Sequence, residues 1–406
     1  MAGKTVLILG GGVGGIVTAN ALRERLASEH RLVVVDKRAE YVFTPSLLWL
    51  MVGRRRPKQI AKDLRQMLHP GVELKQAAVE EIDPERAIVR ASGEELAYDY
   101  LVVALGADLA PEVMPGLAET AHNFFDLDGA AGLWPALQRF EGGRVAVLVS
   151  AMPFKCPAAP YEAAMLIEDA LRRRGIRDRC QVKVFTPEPQ PMGVAGPDMG
   201  VAVAGMMAAK NIGFHPNLPL ERIDPAEKNL VFQNGRQEPF DFLAAVPPHR
   251  PPPVVKASSL ANEAGWIPVD KQTLLTRFEN IYAIGDVTAI ILKNGLPLPK
   301  AGTFAHAEGE AVAARIAAQI GGNAPQAIYD GVGYCWIEAG GGSAGFASGN
   351  FYAEPNPLVG QPRSGRLWHW GKVMFETYWL GEGFRRSAAR AGLNLGSKIL
   401  GIPGSL

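Results

Sequence analysis

The chain has 406 residues, 48% of them apolar, and its 42 basic against 41 acidic side chains leave a formal charge of +1. That excludes a disordered or fibrous protein, gives length for two or three domains, and removes any global argument for nucleic acid as a partner. The three cysteines, Cys156, Cys180 and Cys335, are too few for a secreted disulfide scaffold, so pairing among them would be redox chemistry rather than stapling.

In chain order, Met1 to Thr5 runs straight into a short apolar segment, Thr5 to Leu9, with no basic-then-apolar leader before it. Synthesis without an export signal is therefore expected. Gly14 to Leu26 carries Ile16, Val17, Ala21 and Leu22 at helical spacing, and Leu32 to Val35 is a second apolar run ending at Asp36, which completes a βαβ unit. Further strands are predicted at Leu101 to Leu105, Arg144 to Val149, Val182 to Phe185, Leu243 to Val246 and Ile281 to Ile284, with helices at Tyr161 to Arg173 and Phe304 to Ile320. This alternation predicts an α/β fold with parallel sheets. Proline clusters at Pro187 to Pro191 and Pro247 to Pro253 read as loops, Gly340 to Gly349 is Gly/Ser-rich with a Trp-rich, basic tail after it, and no run is long enough to span a membrane.

The first chemistry-bearing motif is Gly10-Gly11-Gly12-Val13-Gly14-Gly15, directly after a strand and opening a helix. Gly10 permits the tight turn, Gly12 lets backbone approach a pyrophosphate, and Gly15 lets helix pack on strand. Asp36, at the end of the next strand, is placed to accept a ribose hydroxyl. Together these predict a dinucleotide site.

Tyr98-Asp99-Tyr100-Leu101-Val102-Val103-Ala104-Leu105-Gly106-Ala107 and Asn280-Ile281-Tyr282-Ala283-Ile284-Gly285-Asp286-Val287 resemble the recrossing strand and the late flavin motif of flavoproteins with two dinucleotide-binding domains. The resemblance implies FAD, adenine end near Gly10 to Gly15 and isoalloxazine near Asp286. A nicotinamide enzyme of this kind would carry a second glycine motif after Arg144 to Val149. Here Ser150-Ala151-Met152-Pro153-Phe154-Lys155-Cys156-Pro157 follows instead, and its bulky residues disfavour a pyrophosphate at that place.

Phe43-Thr44-Pro45-Ser46, Cys156-Pro157-Ala158-Ala159-Pro160-Tyr161-Glu162, Pro299-Lys300-Ala301-Gly302, Tyr334-Cys335-Trp336-Ile337-Glu338 and Trp368-His369-Trp370-Gly371-Lys372-Val373-Met374-Phe375-Glu376 narrow the likeness. The chain resembles the sulfide:quinone oxidoreductase family and the related flavin subunit of flavocytochrome c sulfide dehydrogenase, over essentially its whole length. That resemblance implies a glutathione-reductase-like pair of Rossmann domains. It implies non-covalent FAD held by Gly10, Gly12, Gly15, Asp36, Lys37, Pro45, Val79, Ala104, Gly106, Gly285, Asp286 and Lys300, and no metal. It also implies a redox pair, Cys156 and Cys335, assisted by Glu162 and Lys300. Some members carry a third functional cysteine before the first, and His122 to Asp126 has none. The expected division is 1–110 and 270–330 for the FAD domain, 111–269 for the second Rossmann-like domain, and 331–406 for a C-terminal domain.

Local chemistry adds expectations for single residues. Lys155 and a following helix N-terminus would make Cys156 the more acidic thiol. Glu162 is either a proton acceptor or a charge favourable to the helix dipole. Lys300 is a positive charge near flavin or quinone, and Cys180, just before a strand, is a small buried hydrophobe. From Arg363 to Lys398 seven Lys or Arg stand against two Glu, interleaved with Trp368, Trp370, Phe375, Tyr378, Trp379, Leu380 and Phe384. That pattern suits a helix in a bilayer interface, or a helix packed on the protein itself or on a second copy. The expected activity is sulfide oxidation with transfer of electrons to a membrane quinone, by a peripheral protein on the cytoplasmic face. The alternatives are a cytochrome c acceptor, a type II NADH dehydrogenase, and a flavin-binding redox sensor; homo-oligomerisation is left open.

Overall fold

A computed structural model describes residues 3–360 and 363–400. In chain order its principal elements are β1 (Thr5–Leu9), α1 (Val13–Arg25), β2 (Arg31–Asp36), β3 (Val72–Gln76), β4 (Tyr100–Val103), β5 (His122–Asn123) and β6 (Gly143–Val149). They continue with α2 (Ala159–Arg173), β7 (Cys180–Phe185), β8 (Ile212–His215), β9 (Phe242–Val246), β10 (Ile281–Ala283), α3 (Gly302–Ile320), β11 (Val332–Gly340), β12 (Ser343–Asn350), α4 (Arg366–Leu380) and α5 (Gly383–Leu400).

The strands form two five-stranded parallel sheets. The first has the order β10-β4-β1-β2-β3 and the second β5-β9-β6-β7-β8. Because helices and meanders cover both faces, the central strands are apolar throughout: Val6 to Leu9 and Val145 to Val149 are buried without alternation. Two antiparallel meanders that the sequence pattern did not reveal flank the sheets: Val79–Asp83 with Ile88–Ala91 and Glu94–Ala97, and Leu220–Asp224 with Asn229–Phe232 and Gln237–Pro239.

α1 and α3 meet closely over the first sheet. A Cβ at Gly309 would stand 2.9 Å from the Gly14 carbonyl oxygen, so this crossing requires glycine. The Gly/Ser-rich stretch folds as a turn followed by a strand. Gly340, Gly341 and Gly342 all take positive φ and turn β11 into β12, an antiparallel hairpin that carries Cys335 on its first strand.

The tail divides in two. α4 packs inward: Trp368 stacks on Phe346 at 4.7 Å, Phe375 lies 5.0 Å from Trp336, and Trp379 stacks on Tyr41 at 6.0 Å. Trp368, Phe375 and Trp379 are buried, so these aromatics belong to the protein's own core, each contributing about 1.5–3 kcal/mol by burial. On α5 the apolar side chains Phe384, Leu395 and Ile399 are exposed instead, as are Leu367 and Trp370 of α4. No helix among the described residues is long and apolar enough to cross a membrane.

Candidate active site

A cavity of about 590 Å³ runs from the glycine turn after β1 to the inner face of α4. At its first end the turn is built as its spacing requires. Gly10 has φ +104°, and a Cβ there would lie 2.3 Å from the Ala104 carbonyl; at Gly15 it would lie 1.9 Å from the Gly10 carbonyl. At Gly12 it would meet nothing, because that position opens onto the cavity at the N-terminus of α1.

Asp36 closes the β2 end. Its Oδ2 accepts from the Gly11 N–H at 2.7 Å and from Arg38 at 2.9 Å, and its Oδ1 accepts from the Arg38 main chain at 2.8 Å. Burial works against the charge, but the Arg38 guanidinium outweighs it and holds the carboxyl below its usual range. Arg38 was missed by sequence reasoning, although it stands two residues after the acid. Lys37, Pro45, Val79, Ala104, Gly106, Gly285, Asp286 and Lys300 all line the same cavity; Gly15 does not, and serves packing alone.

Farther along, the Gly285 N–H donates to Glu308 Oε2 at 2.6 Å. Glu308 is buried on α3, and burial pushes its carboxyl up to about 7. Lys300 donates from Nζ to the carbonyls of Asp286 and Thr288, the latter at 3.1 Å, and lies 3.9 Å over the Trp266 ring. Burial lowers its pKa, opposed by the charges of Asp286 and Glu308. Its amino group is thus held in the cavity wall by two carbonyls rather than solvated in a loop.

The far end brings the two expected cysteines to one place. Cys156 holds φ +56°, and its N–H donates to the Lys300 carbonyl at 2.7 Å, which ties the loop after β6 to the flavin-motif segment. Cys335 arrives on β11. Both thiols line the long cavity and also a second one, of about 270 Å³, walled by apolar residues such as Met152, Phe154, Met192 and Leu298. Cys180 lies elsewhere, buried, with its Sγ donating to the Ile176 carbonyl at 3.2 Å, in keeping with a packing role.

The neighbours expected to acidify Cys156 do not bring its thiol below the ordinary value. Burial, with the nearby Glu162 carboxyl, pushes its thiol up to about 12. Cys335 is likewise well above the ordinary thiol value through burial, then through Cys156 and Glu162. Lys155 does not offset this; its charge bears on His249. The cation that favours both thiolates is Lys372, one turn before Glu376 on α4.

Lys372 Nζ donates to Glu162 Oε2 at 2.8 Å, and both side chains are buried. Glu162 lies in the first turn of α2 and is buried there, and the Glu338 N–H also donates to it at 2.9 Å. Burial raises its pKa, against the pull of Lys372. Lys372 is burdened by the same burial, yet Glu162 and Glu338 together keep its proton on. Its role was legible in one respect: a lone cation at the helical spacing of Trp368, Phe375 and Trp379 must be buried with them, and a buried lysine requires a carboxylate.

The cavity fits FAD. An elongated apolar channel has glycine backbone and a helix N-terminus at one end, Asp36 beside it, and Asp286 and Lys300 near the thiols. Tyr41, Trp336 and Trp379 line it with buried polar atoms that have no protein partner among the described residues.

Residues 4–311 match the pyridine nucleotide-disulphide oxidoreductase family. The sulfide-quinone reductase of Aquifex aeolicus (strain VF5) is 30% identical over 93% of this chain and 90% of its own length. The mitochondrial sulfide:quinone oxidoreductase of Mus musculus is 26% identical over 96% of this chain and 90% of its own. Among solved structures, the X-ray structure of the Aquifex aeolicus sulfide:quinone oxidoreductase superposes with a TM-score of 0.83 at 26% identity, covering 99% of this chain and 96% of that one.

Proposed function

We propose that this chain, which belongs to the pyridine nucleotide-disulphide oxidoreductase family and within it to the sulfide:quinone oxidoreductases, oxidises sulfide through Cys156 and Cys335. It is an FAD-dependent flavoprotein, with sulfide as donor and quinone as acceptor. The observation that carries the cysteine assignment is their position: both thiols stand in the wall between the cofactor cavity and the second, apolar cavity.

On this reading sulfide enters by the second cavity. Hydrosulfide attacks one sulfur of a Cys156–Cys335 disulfide; that S–S bond breaks, a new one forms, and the products are a persulfide on one cysteine and a thiolate on the other. Lys372 supplies the counter-charge for the thiolate, since burial alone would hold the sulfur protonated. Glu162 receives the proton of the attacking sulfur. Bound FAD supplies a two-electron acceptor beside the thiols, which quinone reoxidises. Lys300 fixes positive charge at Asp286 and Thr288, where it favours added negative charge.

Phe375 and Trp379 of α4 line the cavity, and the quinone is placed on their side of it. The exposed Phe384, Leu395 and Ile399 of α5, with Arg385, Arg386, Arg390 and Lys398 on the same helix, support docking of that helix at an anionic membrane surface. The cytoplasmic face is the proposed side.

The test is anaerobic reduction of the FAD-loaded protein by sulfide and by NADH in parallel, followed by addition of a quinone. Sulfide should bleach the flavin within manual mixing, quinone should restore it, and NADH should be slow. Rapid bleaching by NADH without response to sulfide would overturn the assignment.

A further inference from the structure

Glu338 and His369 take no part in the reaction as described so far. Glu338 follows Cys335 by three residues on β11 and is fully buried. Both its carboxylate oxygens face His369 Nδ1, at 3.0 and 3.1 Å, while its own N–H is bonded to Glu162. His369 precedes Lys372 by three residues on α4, so the two side chains share one face of that helix. Its side chain is 18% exposed, whereas Glu162, Glu338 and Lys372 are sealed from solvent.

The surroundings leave this quartet its own exit. Trp49 walls one side, with Lys372 Nζ 5.1 Å over its ring and His369 edge-on at 5.8 Å. The neighbouring cations are committed elsewhere: Arg55 to Glu376 at 2.7 Å and Arg54 to Asp169 at 2.7 Å. Glu338 therefore has His369 as its bonded partner and Lys372 as its near charge.

Oxidation of hydrogen sulfide to sulfane sulfur yields two electrons and two protons. The electrons leave by way of FAD to quinone, but the thiols are enclosed, and protons left beside them in a low-dielectric interior would oppose every later thiolate. We infer that Glu338 and His369 form the proton outlet of the thiol site. Each S–H bond that breaks leaves its electron pair on sulfur; the proton passes to the Glu162–Lys372 pair, then by way of one water, since no direct bond joins that pair to it, to the Glu338 carboxylate, then to His369 Nδ1. His369 releases its Nε2 proton to water, which leaves the neutral ring as its Nδ1–H tautomer, and exchange of protons with water restores the Nε2–H form before the next transfer. This inference rests on the reading of Cys156 and Cys335 as the redox pair.

The experiment uses the full chain loaded with FAD, as wild type, His369→Gln, His369→Ala and Glu338→Gln. Each is mixed anaerobically with sulfide in weak buffer containing a pH-indicator dye, and steady-state quinone reduction is measured in H2O and D2O. His369 is partly exposed, so its variants should retain flavin, read from absorbance, even if Glu338→Gln does not fold. Proton release and turnover should slow roughly tenfold, less than the ~10²–10⁴ of a group that transfers the proton directly, because water partly substitutes. The solvent isotope effect should rise, and imidazole should restore His369→Ala. Wild-type proton release and isotope effect in the His369 variants would overturn the outlet, as would a slow His369→Ala that imidazole leaves slow. If sulfide fails to bleach the wild-type flavin, the redox-pair reading falls and the outlet falls with it.

Discussion

Replacing Lys372 by Met removes the cation from the buried pair while keeping an unbranched chain of similar length beneath Trp49. Breaking such a pair commonly costs about 3–5 kcal/mol, because the partner is left charged in a poor medium. Here Glu162 can escape by taking a proton, which sets a ceiling. Its ordinary pKa is 4.5, and holding such an acid protonated at pH 7 costs about 3 kcal/mol, at roughly 1.4 kcal/mol per pH unit. The sign follows. With Lys372 gone, the folded-state pKa of Glu162 rises further above its unfolded value, so the variant matches wild type most closely below pH 4.5 and loses ground as pH climbs toward the new folded value. Denaturant unfolding of the FAD-loaded proteins, followed by flavin fluorescence at fixed excess FAD from pH 4.5 to 8, measures this directly. Adding Glu162→Gln to Lys372→Met should recover most of the loss and remove its pH dependence. A loss independent of pH, or a double variant no more stable than Lys372→Met alone, would refute the argument that an unpaired buried carboxylate is the cause.

Cys156→Ser and Cys335→Ser should each keep FAD, since the glycine turn and Asp36 lie at the other end of the cavity, yet each should abolish sulfide-dependent quinone reduction. The double variant should be little worse than either single one. Cys180→Ser should be close to silent in turnover, and full activity in either of the first two would sink the redox pair. Truncation after Gly360 should lose bound flavin, because Lys372, Phe375 and Trp379 wall the cavity. Phe384→Ser with Ile399→Ser should instead keep flavin and sulfide bleaching while liposome binding and reduction of a long-chain quinone fall several-fold. Unchanged liposome binding there would remove α5 from the membrane contact.

The parts legible in the sequence are those set by local backbone geometry. Gly10, Gly12 and Gly15 announced the β1–α1 turn because each position admits no side chain or faces the ligand, and the apolar runs announced the buried parallel strands. The meanders at Val79 to Ala97 and Leu220 to Pro239 escaped notice because their half-exposed strands mix charges with apolar residues. The β11–β12 turn was hidden for the opposite reason, as three left-handed glycines look like a linker until strands are seen on either side. For Cys156 the error lay in reading its electrostatics from its sequence neighbours. The charges that act on the thiol are not adjacent Lys155 but Glu162 on α2, Lys372 on α4 and Asp286 after β10, the last two far along the chain. The tail was ambiguous because apolar and basic residues run through both α4 and α5; only packing separates Trp368, Phe375 and Trp379, which are buried, from Trp370 and Phe384, which are left at the surface.

The loop after β6 stands where a second Rossmann unit would hold the pyrophosphate of a nicotinamide cofactor. In a second Rossmann unit the turn after the first strand would present bare backbone amides to a pyrophosphate at the N-terminus of the next helix. Here those amides are already committed. The Cys156 N–H is bonded to the Lys300 carbonyl, the Ala159 N–H to the Cys156 carbonyl, and the Tyr161 and Glu162 N–H groups to the Ala158 carbonyl. Phe154 and Met152 help wall the apolar cavity that the same turn borders. A pyrophosphate arriving there would have to break the bond that holds Cys156 to the flavin-motif segment. The bonds that would have to give way are therefore those that position the thiol, and restoring a glycine motif between Ser150 and Cys156 should weaken sulfide oxidation before it creates any nicotinamide activity.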